Sequence, residues 1–171
     1  ENGGVTEEVK RNYLEINSLQ DLIEGNKPSE DYSLSLINPI NFQLNKFFYK
    51  NIGKKHKWVD RLSWSEEKWI NYVSYKNVNS YVFKHKDDLV GFFELIFHPE
   101  NKETEIAYFG ILEEYQNKKL GSFLLSEAIK KSFVNNTKRV WVHTCSLDHE
   151  NALKNYISRG MKIFKTEILN I

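Results

Sequence analysis

Residues 105–122, EIAYFGILEEYQNKKLGS, decide how the rest of the chain is read. Positions 105–112 are mostly apolar or aromatic and suit a pleated surface, with little helical periodicity, so a strand is expected there. Glu113, Glu114 and Tyr115 make a turn. A helix is expected from Lys119 or Leu120, because Leu120, Phe123, Leu124 and Ala128 recur at helical spacing, as do Leu125, Ala128 and Ile129. A helix start leaves backbone N–H groups open and carries the positive end of the dipole, so this strand–turn–helix offers an anion site. Gly121 lets a ligand approach the backbone, and Lys118 and Lys119 add positive charge. A phosphate or pyrophosphate is the natural guest. The bland alternative is an ordinary strand–loop–helix unit with two solvated lysines.

Around this stretch the chain reads as one mixed α+β domain. With 171 residues, 40% of them hydrophobic, it is long enough for one proper core and short for two. A net charge of +1 gives no global pull toward nucleic acid or an anionic membrane. A single cysteine, Cys145, excludes an internal disulfide framework and fits a reducing cytosol. No apolar run reaches the length of a membrane span and no signal-peptide pattern opens the sequence, so a cytoplasmic protein is expected. Residues 1–8 read as a polar tail and 9–171 as the domain.

Strands are expected over 9–16, polar enough at Lys10, Arg11 and Asn12 to be an edge, and over 31–37, stopped by Pro39. A helix over 42–52 ends at Gly53. After a dense loop, KKHKWVDRLSW, a second helix runs to Tyr75, capped by Ser63 with Glu66 or by Ser65 alone. A hairpin over 80–97 turns at Lys86, Asp87 and Asp88. The central unit follows, its helix ending near Asn135 and Asn136. Then come a strand over 139–144, a short helix over 149–158 capped by Asp148 and stopped by Gly160, and a last strand over 161–169.

Two motifs carry a resemblance. The loop Tyr115-Gln116-Asn117-Lys118-Lys119-Leu120-Gly121-Ser122 resembles the acyl-CoA pyrophosphate loop of GNAT acetyltransferases, Q/R-x-x-G-x-G/A, in Gln116 and Gly121; Lys119 stands at the first glycine. Downstream, HENALKNYISRGM (149–161) is similar to the family's N-x-x-A-x-x-x-Y-x-x-x-G-F in Ala152, Tyr156 and Gly160. There His149 stands for the asparagine and Met161 for the aromatic residue. The resemblance covers residues 80–171. It implies the GNAT fold, a mostly antiparallel sheet that splays open to admit the pantetheine arm of acetyl-CoA. It also implies N-acetyl transfer to a primary amine, with no metal, and is compatible with a homodimer.

The resemblance assigns roles residue by residue. Tyr156 would protonate the departing thiolate. Phe109, Gly110, Ile111 and Leu112 would offer backbone groups to the pantetheine amides. Gln116, Asn117, Lys118, Lys119, Leu120, Gly121 and Ser122 would hold the pyrophosphate, with His149, Asn151 and Asn155 near the cofactor arm. The amine must lose a proton, and a carboxylate at the mouth of the site can take it directly or through water. Glu105 is preferred and Glu94 is the alternative. Trp58, Asp60, Arg61 and Trp64, with His143, are candidates for the acceptor wall, whereas Phe48 and Trp69 read as core. His143, Cys145 and His149 are too few, and lack C-x-x-C, for a structural zinc site, and Cys145 has no signature of a nucleophile. Two other readings stay open: an acyl-CoA sensor of the same fold without turnover, and an unrelated nucleotide or phosphate binder.

Overall fold

The computed structural model describes residues 8–148 and 151–170. Strands β1 (Glu8–Ile16), β2 (Tyr32–Leu36), β3 (Val78–His85), β4 (Asp88–His98), β5 (Glu103–Ile111), β6 (Arg139–Cys145) and β7 (Lys162–Asn170) form one sheet in the order β2-β3-β4-β5-β6-β1-β7. Every pairing is antiparallel except β5 with β6. The helices are α1 (Phe42–His56), α2 (Glu66–Ser74), α3 (Leu120–Ser132) and α4 (Asn151–Ser158). The expected α+β class and the splayed, mostly antiparallel sheet are both present.

Helical spacing sorts the core. Leu124, Leu125, Ala128 and Ile129 of α3 pack with Leu14, Ile16, Phe93, Ile106, Val140 and Val142 on one face of the sheet. Phe48 and Ile52 of α1 pack with Val82, Phe92 and Leu112 on the other. Met161, where the motif has an aromatic residue, is buried in the α3 core and fills that place with a flexible side chain.

The sheet splits between β5 and β6. The two strands pair only at Glu103–Arg139, Thr104–Val140 and Glu105–Trp141. Directly beyond, the β4–β5 register slips: Glu94 faces Tyr108 and Leu95 faces Ile106, so Ala107 is a bulge on β5. A bulge bends its strand and sharpens the twist, which turns the end of β5 away from β6. From Ile106 to Ile111 the β6-facing edge of β5 has no strand partner.

Four expectations need correction. β1 is not an edge: it pairs with β6 on one side and β7 on the other. Its polar residues have other causes, since Asn12 accepts a hydrogen bond from Thr166 Oγ1 at 2.8 Å and Arg11 borders a cavity described below. Glu8, expected in the tail, opens β1; residues 1–7 lie outside the described residues. Gly53 does not end α1, which runs on to His56 and closes at Lys57 in the left-handed conformation (φ 59°). A Cβ on Gly53 would sit 3.0 Å from Trp58 Cβ, so the glycine gives the returning loop room. Finally, α3 ends at Ser132, and Asn135 and Asn136 adopt positive φ in the turn to β6. Ser65 caps α2, accepting from Lys68 N at 3.1 Å, and Gly160 (φ 103°) stops α4 as expected.

Candidate active site

Two cavities meet in the split. One, of about 360 Å³, lies between the end of β5, the 115–119 loop, the first turn of α3, and α4. The other, of about 500 Å³, is bounded by β5, β6, β1, the α1–α2 loop and the β6–α4 loop. His56, Phe109, Ala152 and Tyr156 line both, so Tyr156 stands where they join.

The first cavity brings the small and polar residues of 116–122, with Asn151 and Asn155, against the aromatic and apolar surface of Phe109, Ile111, Tyr115 and Tyr156. Gln116 Nε2 donates to Ile111 O at 2.7 Å, tying the loop to the strand it leaves. Asn117 and Lys119 have φ of 63° and 62°. Lys119 is the N-cap of α3 and makes no side-chain cap, so the first N–H groups of the helix receive nothing from it. Its left-handed backbone explains why the motif favours glycine there: a side chain in that region costs on the order of 1 kcal/mol. Ser122 Oγ donates to Lys119 O at 2.9 Å, and Asn155 Nδ2 donates to Gly121 O at 3.1 Å, locking the loop to both helices. A Cβ on Gly121 would meet only Asn155 Nδ2, at an ordinary 3.6 Å. The protein's own packing therefore does not demand glycine at 121.

Of the residues expected around the cofactor, Phe109, Gly110, Ile111, Gln116, Asn117, Lys119, Leu120, Gly121, Ser122, Asn151 and Asn155 line this cavity. Lys118 and Leu112 do not: Lys118 is exposed, and Leu112 is buried against α1. His149 lies outside the described residues.

Tyr156 is 7% exposed, and among the described residues its hydroxyl forms no hydrogen bond. Burial first, and the nearby Asp148 carboxylate second, push its pKa well above the ordinary phenol value, so it is protonated at neutral pH. Burial would raise Asp148, but the nearby His56 ring, with hydrogen bonds from Thr144 and Cys145 N, outweighs that and holds its carboxyl below the usual range.

The second cavity is built of side chains. Glu105 lines it and hydrogen-bonds His98 Nε2 at 3.1 Å. His143 lines it too. Its ring is open to the cavity but surrounded by protein; that burial, then the charge of Arg11, lowers its pKa and keeps the imidazole neutral at pH 7. Cys145 is pushed the other way, by burial and then Asp148, which leaves a protonated, unreactive thiol. Trp58 and Asp60 border the cavity from the α1–α2 loop, with the Trp58 ring 4.7 Å from that of Tyr108.

Glu94 is not at the mouth. It is 0% exposed and lines neither cavity. Its Oε1 accepts from Tyr72 OH at 2.8 Å and pairs with Arg61 NH1 at 2.9 Å, while Oε2 accepts from Asn45 Nδ2 at 2.8 Å. The Arg61 guanidinium lies 4.2 Å from the ring centres of both Tyr72 and Tyr108 and 4.7 Å from that of Trp64. Arg61 N also donates to the Tyr49 hydroxyl at 2.9 Å. Trp64 and Glu94 thus anchor the loop rather than face the cavity; Arg61 anchors it and borders the cavity as well. Phe48 and Trp69 are core, as expected.

Sequence reasoning passed over His56, Tyr108 and Arg11. His56 is the last residue of α1, in a stretch whose sequence reads as loop. Arg11 was visible only as unexpected polarity in a strand.

The sequence model of the acetyltransferase (GNAT) family matches residues 42–161. The chain belongs to this family. The GNAT fold is shared with a GCN5-related N-acetyltransferase of Sphaerobacter thermophilus (14% identity, TM-score 0.72, covering 95% of this chain and 50% of that one). It is shared with a conserved protein of unknown function from Staphylococcus epidermidis (18%, 0.64, 95% and 61%). An aminoglycoside acetyltransferase from an uncultured soil metagenomic sample is similar over 77% of this chain and 88% of its own (12%, 0.63). At these identities the likeness is one of fold. The chain spans 61% and 50% of the first two structures it resembles. No curated protein matches the sequence. Acyl transfer is the chemistry after which this family is described. Among the described residues no helix is long and apolar enough to cross a membrane.

Proposed function

We propose that the protein is an N-acetyltransferase that moves an acetyl group from acetyl-CoA directly to a primary amine. The observation that carries this reading is the position of Tyr156, shared by a cavity at the start of α3 and a second cavity across the split. The loop 116–122 receives the pyrophosphate through backbone N–H groups. The unpaired edge of β5 from Ile106 to Ile111 takes the pantetheine amides as an added strand would. Family motifs at Gln116, Gly121, Ala152, Tyr156 and Gly160 support the assignment.

In the reaction the amine nitrogen attacks the thioester carbonyl carbon, the C–N bond forms and the C–S bond breaks. Glu105 accepts the amine proton directly or through water, with His98 hydrogen-bonded to its carboxylate. The buried Tyr156 hydroxyl, held in its protonated form, gives its proton to the sulfur.

Calorimetry with acetyl-CoA, and with CoA, ATP and NAD as controls, tests this on wild type and Gly121→Glu. The expected result is binding of acetyl-CoA and CoA alone, lost in the variant because a carboxylate enters the phosphate cradle without disturbing its packing. Absence of acetyl-CoA binding overturns the reading. Binding with no thiol release across a wide amine panel would make the protein a sensor.

A further inference from the structure

The second cavity contains a cation that the proposed chemistry leaves unused. Arg11 borders it from β1, opposite Cys145 on β6 and Glu167 on β7. Among the described residues Arg11 forms no ion pair, and its Nε is buried with no hydrogen-bond partner. Glu167 feels the charge of Arg11 but forms no ion pair with it; its carboxylate accepts from Tyr13 OH at 2.8 Å and pairs with Lys165 Nζ at 3.4 Å. The other arginine bordering this cavity, Arg61, is by contrast fully matched by Glu94. A partly desolvated guanidinium without an anion is costly, and it recognises carboxylates in a two-pronged geometry.

The neighbourhood has a second pole. Asp60 borders the same cavity from the α1–α2 loop and forms no ion pair among the described residues, and Glu105 lies on β5. His143 stands on β6 one strand across and two residues along from Arg11, a Cα separation of about 8 Å on regular sheet spacings. An unmatched cation on β1 and an acid without an ion pair on the α1–α2 loop, lining one cavity, suit a ligand carrying both charges.

We propose that Arg11 binds a carboxylate of the acetyl acceptor, so that the acceptor is a small amino-carboxylate compound rather than a polycationic amine. The proposal rests on the acetyltransferase reading. The amine is directed toward Glu105 and Asp60 and the carboxylate toward Arg11. A polyamine or aminoglycoside would bring positive charge against Arg11 and leave it unpaired.

The test measures thiol release from acetyl-CoA with L-amino acids and dipeptides, each paired with its C-terminal amide, and with spermine and kanamycin. Wild type is expected to favour acids over their amides by about tenfold or more in kcat/KM. In Arg11→Gln the acid-to-amide ratio falls toward one, chiefly through KM for the acids, and Arg11→Lys restores part of it. Acetyl-CoA affinity by calorimetry on each variant reports that it is folded. If acetyl-CoA does not bind wild type, the acetyltransferase reading fails, and the acceptor assignment with it. If it binds and amides or the polycations are preferred, if no acid is acetylated, or if Arg11→Gln keeps the wild-type ratio, the carboxylate assignment alone is overturned.

Discussion

The two cavities that meet at Tyr156 are made of different material. On the helix side, His56 apart, the lining comes from one continuous segment and one short helix, 109–122 and 151–156. Across the split the wall is gathered from β1, β5, β6 and two loops, one of them held by the buried Arg61–Glu94 pair. The first can hold the invariant part of a substrate with few side chains to specify. The second can change its occupant by changing single residues. On the acetyltransferase reading, the first would hold the donor and the second the acceptor.

The sharpest test of this division lies on the shared residue. Tyr156→Phe removes only the hydroxyl and is expected to lower kcat by about 10²–10⁴, the usual worth of a positioned proton donor. Its acetyl-CoA dissociation constant should stay close to wild type. If kcat is unchanged, Tyr156 is a core residue between two cavities and the proton comes from elsewhere. Next in size is the anchor of the α1–α2 loop, which borders the second cavity. Glu94→Ala leaves Arg61 buried without its counter-ion, and such losses cost about 3–5 kcal/mol, readable in a urea midpoint. A variant as stable as wild type would mean that Glu94 does not hold the loop.

Legibility in the sequence follows the same division. Strand, turn and helix over 105–122 declare themselves through local patterning, so Gln116 and Gly121 stand out from one short stretch, whereas Asn155 reaches the same cavity from α4. The acceptor side is non-local. The split depends on a bulge at Ala107, which no residue in EIAYFG announces. Glu94 looks like any strand carboxylate until Arg61, Tyr72 and Asn45 close over it. Arg11 reads as edge polarity because the strand's second partner, β7, is more than 150 residues away in the chain. Gly53 misleads for a related reason: the residue that needs its missing Cβ is Trp58 in the returning loop, and local helix-end rules do not see it.

A smaller effect tests the hinge between the two sides. Asp148 is held below its ordinary value of 3.8 even though burial works against it, because the nearby His56 ring and hydrogen bonds from Thr144 and Cys145 N favour the carboxylate. A depressed native pKa means that the unfolded chain binds the proton more readily. The stabilisation is therefore fully present above the unfolded value and is lost as pH falls through the folded one. Asp148→Asn should lower Tm at neutral pH, and the two proteins should converge as acid protonates the wild-type carboxyl. Melting curves from neutral pH downward check this; a constant gap at all pH values would assign the effect to packing.

The smallest expected effect asks whether backbone alone does the work on the helix side. Lys119 occupies the motif's first glycine position in a left-handed conformation, and it caps α3 without a side-chain hydrogen bond. Lys119→Gly relieves that conformation and is expected to stabilise the protein by about 0.5–1 kcal/mol, read from a denaturant midpoint. If the pyrophosphate is held by N–H groups, acetyl-CoA affinity should fall by no more than the few-fold worth of one exposed charge. A loss of affinity comparable to that of Gly121→Glu would show the lysine's charge to be the principal contact. The helix side would then depend on its side chains as much as the acceptor side does.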